Sequence, residues 1–82
     1  MKQISIIKAK HKGGYKVKLY FNDKTSRIID FENFLLKHSH PQYNQYKKIS
    51  IFKQFKIELG NIVWGKDWDL VFPIFDLYKG KI

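Results

Sequence analysis

Apolar and polar residues alternate most regularly between Gly14 and Phe31. The period of two predicts a strand with one buried face and one wet face. The apolar positions are Tyr15, Val17, Leu19 and Phe21, and the positions between them are Lys16, Lys18 and Tyr20. Turn-forming residues follow at 22–24, and β-branched residues run back over 25–30. The stretch therefore predicts a β-hairpin whose buried face the other segments cover.

A two-residue loop at Asp23 and Lys24 would fix the register of this hairpin. Such a loop needs positive φ at both positions, where Gly is preferred to Lys24. The predicted pairs are Phe21 with Ser26, Leu19 with Ile28 and Val17 with Asp30 on the buried side, and Tyr20 with Arg27 and Lys18 with Ile29 on the outer side. This register predicts a buried Ile28 and an outward Ile29.

A first strand is predicted over residues 4–10, with Ile4 and Ile6 on one face. Ile7 and Ala9 then move the apolar side chains to the opposite face, which indicates a β-bulge or an early exit from the sheet. Residues 12–14, Lys-Gly-Gly, form a flexible connection into the hairpin.

Short helical segments are predicted after the hairpin. Asp30 caps a helix over residues 31–37 that directs Phe34 and Leu35 inward. The sequence HSHP at 38–41 ends it, and a second helical segment begins at Pro41 with Ser39 or His40 as its cap. Residues 49–53 fit either a helix or an extended segment.

The last third of the chain predicts a second hairpin and a terminal helical turn. Residues 55–59 alternate as a fourth strand, residues 60–61 form a turn, and residues 62–64 form a short fifth strand. Residues 65–72 are predicted as loop. Pro73 then begins a helical turn that holds Leu77 and Tyr78 and ends at Gly80.

These elements predict one domain over residues 1–82 with an α+β fold. The expected architecture is an antiparallel sheet of two hairpin-like parts: three strands, short helical segments, then a second hairpin and a C-terminal helical turn. A chain of this length buries only about 60–65% of its unfolded surface, so we expect marginal stability, about 5 kcal/mol.

The positive charge is concentrated in the first third of the chain. Residues 1–27 hold seven Lys and one Arg against one Asp, a net charge of +7, and residues 28–82 hold eight Lys against six acids, a net charge of +2. A basic surface is typical of nucleic-acid binding. However, 15 of the 16 cations are Lys, whereas base reading and bidentate phosphate binding favour Arg.

The composition excludes several classes of protein. The chain has no cysteine, which excludes disulfides and thiolate metal sites. It shows no signal peptide and no apolar run near the roughly 20 residues that cross a bilayer. We therefore expect a soluble cytoplasmic protein that binds no membrane and no cofactor.

The order of these features is similar to a known family. The segments that carry the similarity are YKVKLYFN at 15–22, SRIIDF at 26–31, FKIELGNIVW at 55–64 and PIFDLY at 73–78. Together they resemble the bacterial domain-of-unknown-function family 2442 over nearly the whole chain. The late part of the pattern is matched by Trp64, Asp69, Leu70, Pro73, Leu77 and Tyr78. Lys24 departs from the Gly usual in the family, and Phe72 departs from a small capping residue.

The resemblance implies an α+β fold with three strands, a helical segment and a second hairpin. It implies no established activity. Family members occur alone or as the N-terminal domain of helix-turn-helix proteins, and some genes neighbour another small family in a toxin–antitoxin-like arrangement. The six family-matching residues are interpreted as structural.

Two groups of side chains could be metal sites. His11, His38 and His40 are the only imidazoles, and zinc takes three protein ligands. Because His38 and His40 precede a proline without a nearby carboxylate pair, we interpret them as exposed loop residues. Asp67, Asp69 and Asp76 could hold a divalent cation.

For Asp69 the alternative is a structural role. A loop Asp commonly caps backbone N–H groups. We expect the carboxylate of Asp69 to accept hydrogen bonds from the backbone of Val71, Phe72 and Ile74 and to need no metal.

Two surfaces are predicted for partners. The first is a polyanion-binding surface formed by Lys8, Lys10, Lys16, Lys18 and Arg27. Like charges on neighbouring strands are destabilising unless an anion meets them, and the alternative is a solvated face. The second is an interface of partly exposed aromatic residues, since Tyr and Trp favour interfaces, and the alternative is a thicker core. Its residues are Tyr20, Tyr43, Tyr46 and Trp68.

No acid–base or nucleophile constellation emerges, and Gly13-Gly14 lacks the rest of a phosphate-binding loop. The leading hypothesis is a small protein-interaction or regulatory module, the antitoxin-like half of a two-component bacterial system, bound to a small protein or to a second copy of itself. The second hypothesis is weak, non-sequence-specific nucleic-acid binding through the basic N-terminal strands.

Overall fold

Two three-stranded antiparallel sheets and several short helices form the fold of this chain, in a computed structural model that describes residues 3–37, 41–80 and 82. The strands are β1 (Ile6–His11), β2 (Lys16–Phe21), β3 (Ser26–Asp30), β4 (Lys56–Glu58), β5 (Asn61–Trp64) and β6 (Leu70–Val71). The α-helices are α1 (Glu32–Lys37), α2 (Pro41–Asn44), α3 (Ile49–Phe52) and α4 (Ile74–Lys79), and a 3₁₀ turn covers Gln45–Lys47. The first sheet has the order β1-β2-β3 and the second β4-β5-β6, which confirms the predicted α+β class.

The register of the β2–β3 hairpin differs by one residue from the predicted one. The loop has three residues, because the N–H of Phe21 donates to the carbonyl of Thr25 at 2.9 Å and Lys24 takes a φ of 71°. A turn followed by a left-handed residue is the usual form of a three-residue hairpin loop. Since side chains alternate between faces, the one-residue difference exchanges two neighbours. Ile29 is buried at 3% exposure, and Ile28 is 54% exposed.

The predicted bulge in β1 is confirmed. The register changes between Ile6, opposite Phe21, and Lys8, opposite Tyr20. Ile7 is the extra residue and is 64% exposed. The bulge lets Ile6 face the core and still directs Lys8 outward.

The helical segments begin and end close to the predicted positions. Asp30 caps α1, because its Oδ1 accepts a hydrogen bond from the N–H of Glu32 at 3.0 Å, and Leu35 is buried. The segment left open between helix and strand forms α3. α2 begins at Pro41, whereas the predicted caps, Ser39 and His40, lie outside the described residues.

The second hairpin turns at Leu59 and Gly60, whose φ angles are 52° and 79°. Leu59, predicted as a strand residue, is therefore in the turn and 90% exposed. The turn contacts the start of β1: the N–H of Ile6 donates to the carbonyl of Gly60 at 2.7 Å, and a Cβ on Gly60 would lie 2.6 Å from that of Ser5. This close approach, which only glycine allows, joins the two sheets.

Residues 70–71 form a strand where the sequence predicted loop, and this expectation was wrong. β6 pairs with β5, with Leu70 opposite Trp64, and Leu70 is buried at 2% exposure. Two residues are too few to show a period of two, so the sequence pattern carries no signal for this strand. The prediction for α4 is confirmed: Pro73 precedes it, and Gly80 ends it with a φ of 81°.

The core is centred on Trp64, which is fully buried. The rings of Phe31, Phe52 and Phe72 lie 5.3, 5.5 and 5.9 Å from it, between centroids. The indole N–H donates to the carbonyl of Phe52 at 2.6 Å, so the one polar atom of this ring has a partner. The described helices are all too short to cross a membrane.

Candidate functional site

Four lysines lie on the outer side of the first sheet. On β2 the odd-numbered positions are buried, so Lys16, Lys18 and Tyr20 point outward. After its bulge, β1 directs Lys8 and Lys10 to this same side of the sheet, with Lys8 opposite Tyr20 and Lys10 opposite Lys18. We call this surface the basic face and define it by Lys8, Lys10, Lys16, Lys18 and Tyr20.

Tyr20 lies between two ammonium groups of the basic face. The Nζ atoms of Lys8 and Lys18 lie 5.6 and 5.2 Å from the centroid of its ring, within the range of a cation–π interaction. Lys10 stands directly opposite Lys18, a pairing of like charges that destabilises a sheet. The face therefore holds its positive charges close together.

Acidic side chains neutralise little of this charge. The ion pair found among the described residues is the one between Lys56 and Glu58, at 3.3 Å, and it lies in the second sheet. Asp30 stands opposite Lys16 at the edge of the face. Beside Lys18 lies Ile28, so the basic face also offers exposed apolar surface.

Arg27, which the sequence grouped with these lysines, does not belong to the basic face. It stands opposite Leu19, on the other side of the sheet. Its Nε donates to the carbonyl of Tyr78 at 2.9 Å, near the end of α4. The one-residue change in register moved this side chain, and its contact holds α4 against the sheet.

The four aromatic residues predicted as an interface lie in different surroundings. Tyr20 is half-buried on the basic face, and Tyr43 is half-buried with its ring 5.5 Å from that of Phe34. Tyr46 is buried at 4% exposure. Trp68 is half-buried, and its indole N–H donates to the carboxylate of Glu58. Tyr46, being buried, therefore offers almost no surface to a partner.

Other apolar residues are more exposed than these aromatics. They are Ile7, Ile28, Leu36, Leu59, Val71, Phe75 and Ile82. The exposure of Ile28 was not predicted, because the predicted register buried this side chain.

A cavity of about 440 Å³ lies between the 3₁₀ turn and the loop before β6. Its lining residues are Gln45, Tyr46, Ile51, Gln54, Lys56, Gly65, Lys66 and Asp69. Burial, and secondarily the negative charge of Asp69, raise the pKa of the Tyr46 phenol, so this hydroxyl is protonated at neutral pH. Because the cavity presents both cations and an anion, its charge selects no single class of ligand.

The expected capping by Asp69 is not found. Among the described residues, no hydrogen bond joins its carboxylate to the backbone N–H of Val71, Phe72 or Ile74, and Val71 pairs with β5. The carboxylate lies instead over Gly65, where an added Cβ would overlap it. The close contact is possible because Gly65 has no side chain.

The other family-matching residues have structural positions. Trp64, Leu70 and Leu77 are buried in the core, and Pro73 precedes α4. The hydroxyl of Tyr78 donates to the carboxylate of Asp23 at 2.6 Å. Each of these five residues therefore lies in the core, at the start of α4 or in a contact between elements.

The structure brings no metal site together in the part of the chain that it describes. No group of three or more His, Cys, Asp or Glu side chains lies close enough there to bind an ion. The hypothesis of a cation site at Asp67, Asp69 and Asp76 therefore has no geometric support. The Nε2 of His11 lies 2.8 Å from the carbonyl of Gly14, while His38 and His40 lie outside the described residues.

Comparison with known proteins gives a family and no activity. The sequence model described as "Protein of unknown function (DUF2442)" matches residues 6–82. No curated protein and no solved structure matches the chain. The match covers nearly the whole sequence and contains both sheets, and the chain therefore belongs to the DUF2442 family.

Proposed function

We propose that this chain is a small cytoplasmic protein-interaction module whose basic face binds an acidic partner protein. The observation that carries the proposal is the positive charge of Lys10 and Lys18, which stand directly opposite each other and form no ion pair with an acid in the described part of the chain. Such a pair lowers the stability of the free domain. An anionic partner would remove that cost on binding, so the arrangement favours association.

The apolar part of the same surface favours a protein over a nucleic acid. Ile28 is 54% exposed and stands opposite Lys18, and the ring of Tyr20 lies among the lysines. Phosphate groups gain little from an exposed isoleucine, whereas an acidic protein segment with apolar side chains contacts both kinds of group. Lysine, which is a point charge without the fork of arginine, also lacks the bidentate geometry that reads bases.

The finer proposal is that the partner is the other half of a toxin–antitoxin-like pair. It is supported by the family resemblance alone. In this role the chain binds and regulates and does not catalyse a reaction.

The second candidate function is weak binding of nucleic acid without sequence preference. The same four lysines support it, since cations on one face can follow a phosphate backbone. Binding of this kind depends on counterion release and weakens steeply with salt. A protein complex that also buries Ile28 should lose less affinity as salt rises than a nucleic-acid complex does, because apolar contacts release no counterions.

The test is co-purification of the tagged chain from its native host, with and without nuclease. Lys10→Glu with Lys18→Glu reverses the central pair of the basic face. Lys48→Glu with Lys53→Glu is the matched control, since both lysines are exposed at the ends of α3 and the charge change is the same.

We expect that a protein co-purifies with the parent and with the control even after nuclease treatment, and that the basic-face variant loses it. Material that absorbs at 260 nm and disappears with nuclease would support the second candidate instead. A protein retained equally by all three forms would refute binding through the basic face.

A further inference from the structure

β3 lies at one edge of the first sheet, with β2 as its neighbour. Two backbone hydrogen bonds show which of its residues face β2. The N–H of Phe21 donates to the carbonyl of Thr25, and the N–H of Phe31 donates to the carbonyl of Tyr15, each at 2.9 Å. Because these bonds involve every second residue of an antiparallel pair, the residues between them direct their N–H and C=O groups away from β2. These residues are Ser26, Ile28 and Asp30.

The outer edge of β3 lacks several of the features that block pairing with another strand; its charged residues are Arg27, on the core side of the sheet, and Asp30. Among the described residues, the backbone groups of Ser26, Ile28 and Asp30 have no hydrogen-bond partner. The segment 26–30, Ser-Arg-Ile-Ile-Asp, contains no proline or lysine, and its pairing with β2 shows no bulge. Natural edge strands use those features to prevent association. An open edge that includes an exposed isoleucine is a template for strand addition.

We propose that a second copy of this chain pairs with this edge, β3 against β3, antiparallel about a two-fold axis at Ile28. In this register Ile28 lies opposite Ile28 of the second copy, and Ser26 of each copy lies opposite Asp30 of the other. Apolar surface meets apolar surface, and a hydroxyl donor meets a carboxylate acceptor twice. No like charges stand opposite each other, so the strand is complementary to itself.

The register centred on Ile28 also pairs the whole strand. All five residues of β3 find a partner in it. Moving the two-fold axis to Arg27 also lets the outward backbone groups form hydrogen bonds. In that register, however, two guanidinium groups stand opposite each other, and fewer residues of β3 are paired. A shift of the axis to Ile29 extends the pairing past the end of β3 at Asp30. The sequence of the strand therefore selects one register.

The proposed dimer has one continuous six-stranded sheet, because each copy contributes the order β1-β2-β3. Opposite residues of an antiparallel pair point to the same face, so the two basic faces lie side by side on one surface. The inference goes beyond the proposed function: the dimer can form whether or not the basic face binds an acidic protein.

Cross-linking tests the register directly. The chain has no cysteine, so Ile28→Cys introduces a single thiol. Hydrogen-bonded residues opposite each other on antiparallel strands have Cα atoms about 5.5 Å apart, within the range of a disulfide. Ile7→Cys is the control, because Ile7 is also exposed, at 64%, and lies on a different strand. We expect mild oxidation to form covalent dimers of Ile28→Cys about ten times faster than of Ile7→Cys; the tenfold figure corresponds to about 1.4 kcal/mol. Equal rates would overturn the proposal.

Light scattering at tens of micromolar gives an independent test. The parent should show a mass above the 9.9 kDa of one chain, approaching twice that value as concentration rises. Ile28→Lys should raise the dissociation constant of the dimer about tenfold, because it removes an apolar pair and places two ammonium groups opposite each other. Ile7→Lys makes the same change of charge and should dimerise like the parent. A monomeric parent, or equal dimerisation of both variants with folded melting curves, would refute pairing through β3.

Discussion

Tyr78 donates its hydroxyl hydrogen to the carboxylate of Asp23 at 2.6 Å, across 55 residues of sequence. The bond joins α4 to the β2–β3 loop and is exposed to solvent. Beside it, the ring of Tyr78 packs edge-on against Phe21, with 5.1 Å between centroids. The C-terminal helix is thus held against the first sheet by a polar contact at the rim and an aromatic contact beneath it.

This pair predicts how stability depends on pH. Hydrogen bonds from the side chains of Thr25 and then Tyr78 lower the pKa of Asp23, and the bond to Asp23 raises the pKa of Tyr78. A lowered carboxyl pKa contributes stability that is present above the unfolded value, about 3.9, and is lost as pH falls through the folded pKa. A raised phenol pKa contributes stability that is present below about 10 and is lost as pH rises through the folded pKa.

Tyr78→Phe should therefore lower the melting temperature slightly at neutral pH and flatten both the acid and the alkaline limb of the stability profile. The measurement is thermal unfolding followed by circular dichroism from about pH 3 to about pH 11, a range that contains the reference pKa values of both Asp and Tyr. Tyr20→Phe, which removes a hydroxyl on the basic face, is the comparison. Identical limbs in the parent and Tyr78→Phe would show that the bond contributes nothing to stability.

Gly65 is predicted to tolerate no side chain. Its φ is 87°, and a Cβ there would overlap the carboxylate of Asp69 and lie 2.8 Å from the hydroxyl oxygen of Tyr46. The left-handed conformation alone costs an L-residue about 1–2 kcal/mol, and the overlap adds to that cost. Gly65→Ala should lower the melting temperature by at least about 4–8 °C, the shift that 1 kcal/mol causes in a domain of this size.

Two further variants separate the steric cost from the backbone cost. Gly13 has a φ of 100° with no atom within 4 Å of an added Cβ, so Gly13→Ala carries the backbone cost alone. Adding Asp69→Ala to Gly65→Ala removes the overlapping carboxylate and should recover part of the lost stability. If Gly65→Ala and Gly13→Ala melt at the same temperature, the close contact around Gly65 is not a constraint.

The basic face should bind polyanions only weakly. A few lysines that neutralise phosphates give micromolar or weaker affinity, which falls about 10³–10⁵-fold between 50 and 200 mM salt when six to ten contacts form and less with fewer. Lys16→Glu with Lys18→Glu should abolish binding to single-stranded DNA in a fluorescence anisotropy titration at low salt, without unfolding the domain. Lys48→Glu with Lys53→Glu should reduce it far less. Sequence-selective binding that survives physiological salt would contradict the weak-binding expectation.

The sequence was sufficient for the elements that have a repeated pattern or a strong local signal. β2 has three alternating buried positions, the β1 bulge shows as a change of parity at Ile7, and Asp30, Pro73 and Gly80 act where capping chemistry places them. Each of these features depends on residues close together in the chain. The family resemblance agreed with them, and the family match confirms it.

The rest depended on conformations or contacts that the pattern does not encode. Lys24 takes a positive φ of 71°, but Asp23 does not, whereas the predicted two-residue loop needs positive φ at both positions. The loop therefore has three residues, and the changed register exchanges Ile28 with Ile29. That exchange removed Arg27 from the predicted polyanion set and left an isoleucine exposed beside Lys18. The four lysines therefore lie on neighbouring strands as predicted, because their positions follow from β2 and the bulge. The faces of β3 were predicted wrongly, because they follow from the loop.

The β4–β5 turn offers a stabilising substitution. Leu59 is 90% exposed and has a φ of 52°, and Gly60 follows with 79°, so both turn positions are left-handed. This geometry favours Asn-Gly, because Asn tolerates the left-handed region better than a hydrophobic residue does. Since the exposed side chain of Leu59 packs little, replacing it loses few contacts.

Leu59→Asn should raise the free energy of unfolding by about 0.5–1 kcal/mol, and hence the melting temperature by several degrees. Leu59→Ala is the matched control: it removes the same exposed side chain but keeps the cost of a left-handed L-residue, so it should melt close to the parent. The measurement is thermal and urea unfolding of the three proteins at neutral pH. If Asn and Ala at this position give the same stability, the strain assigned to Leu59 is absent, and the turn owes its shape to Gly60 and to the contact of that glycine with Ser5.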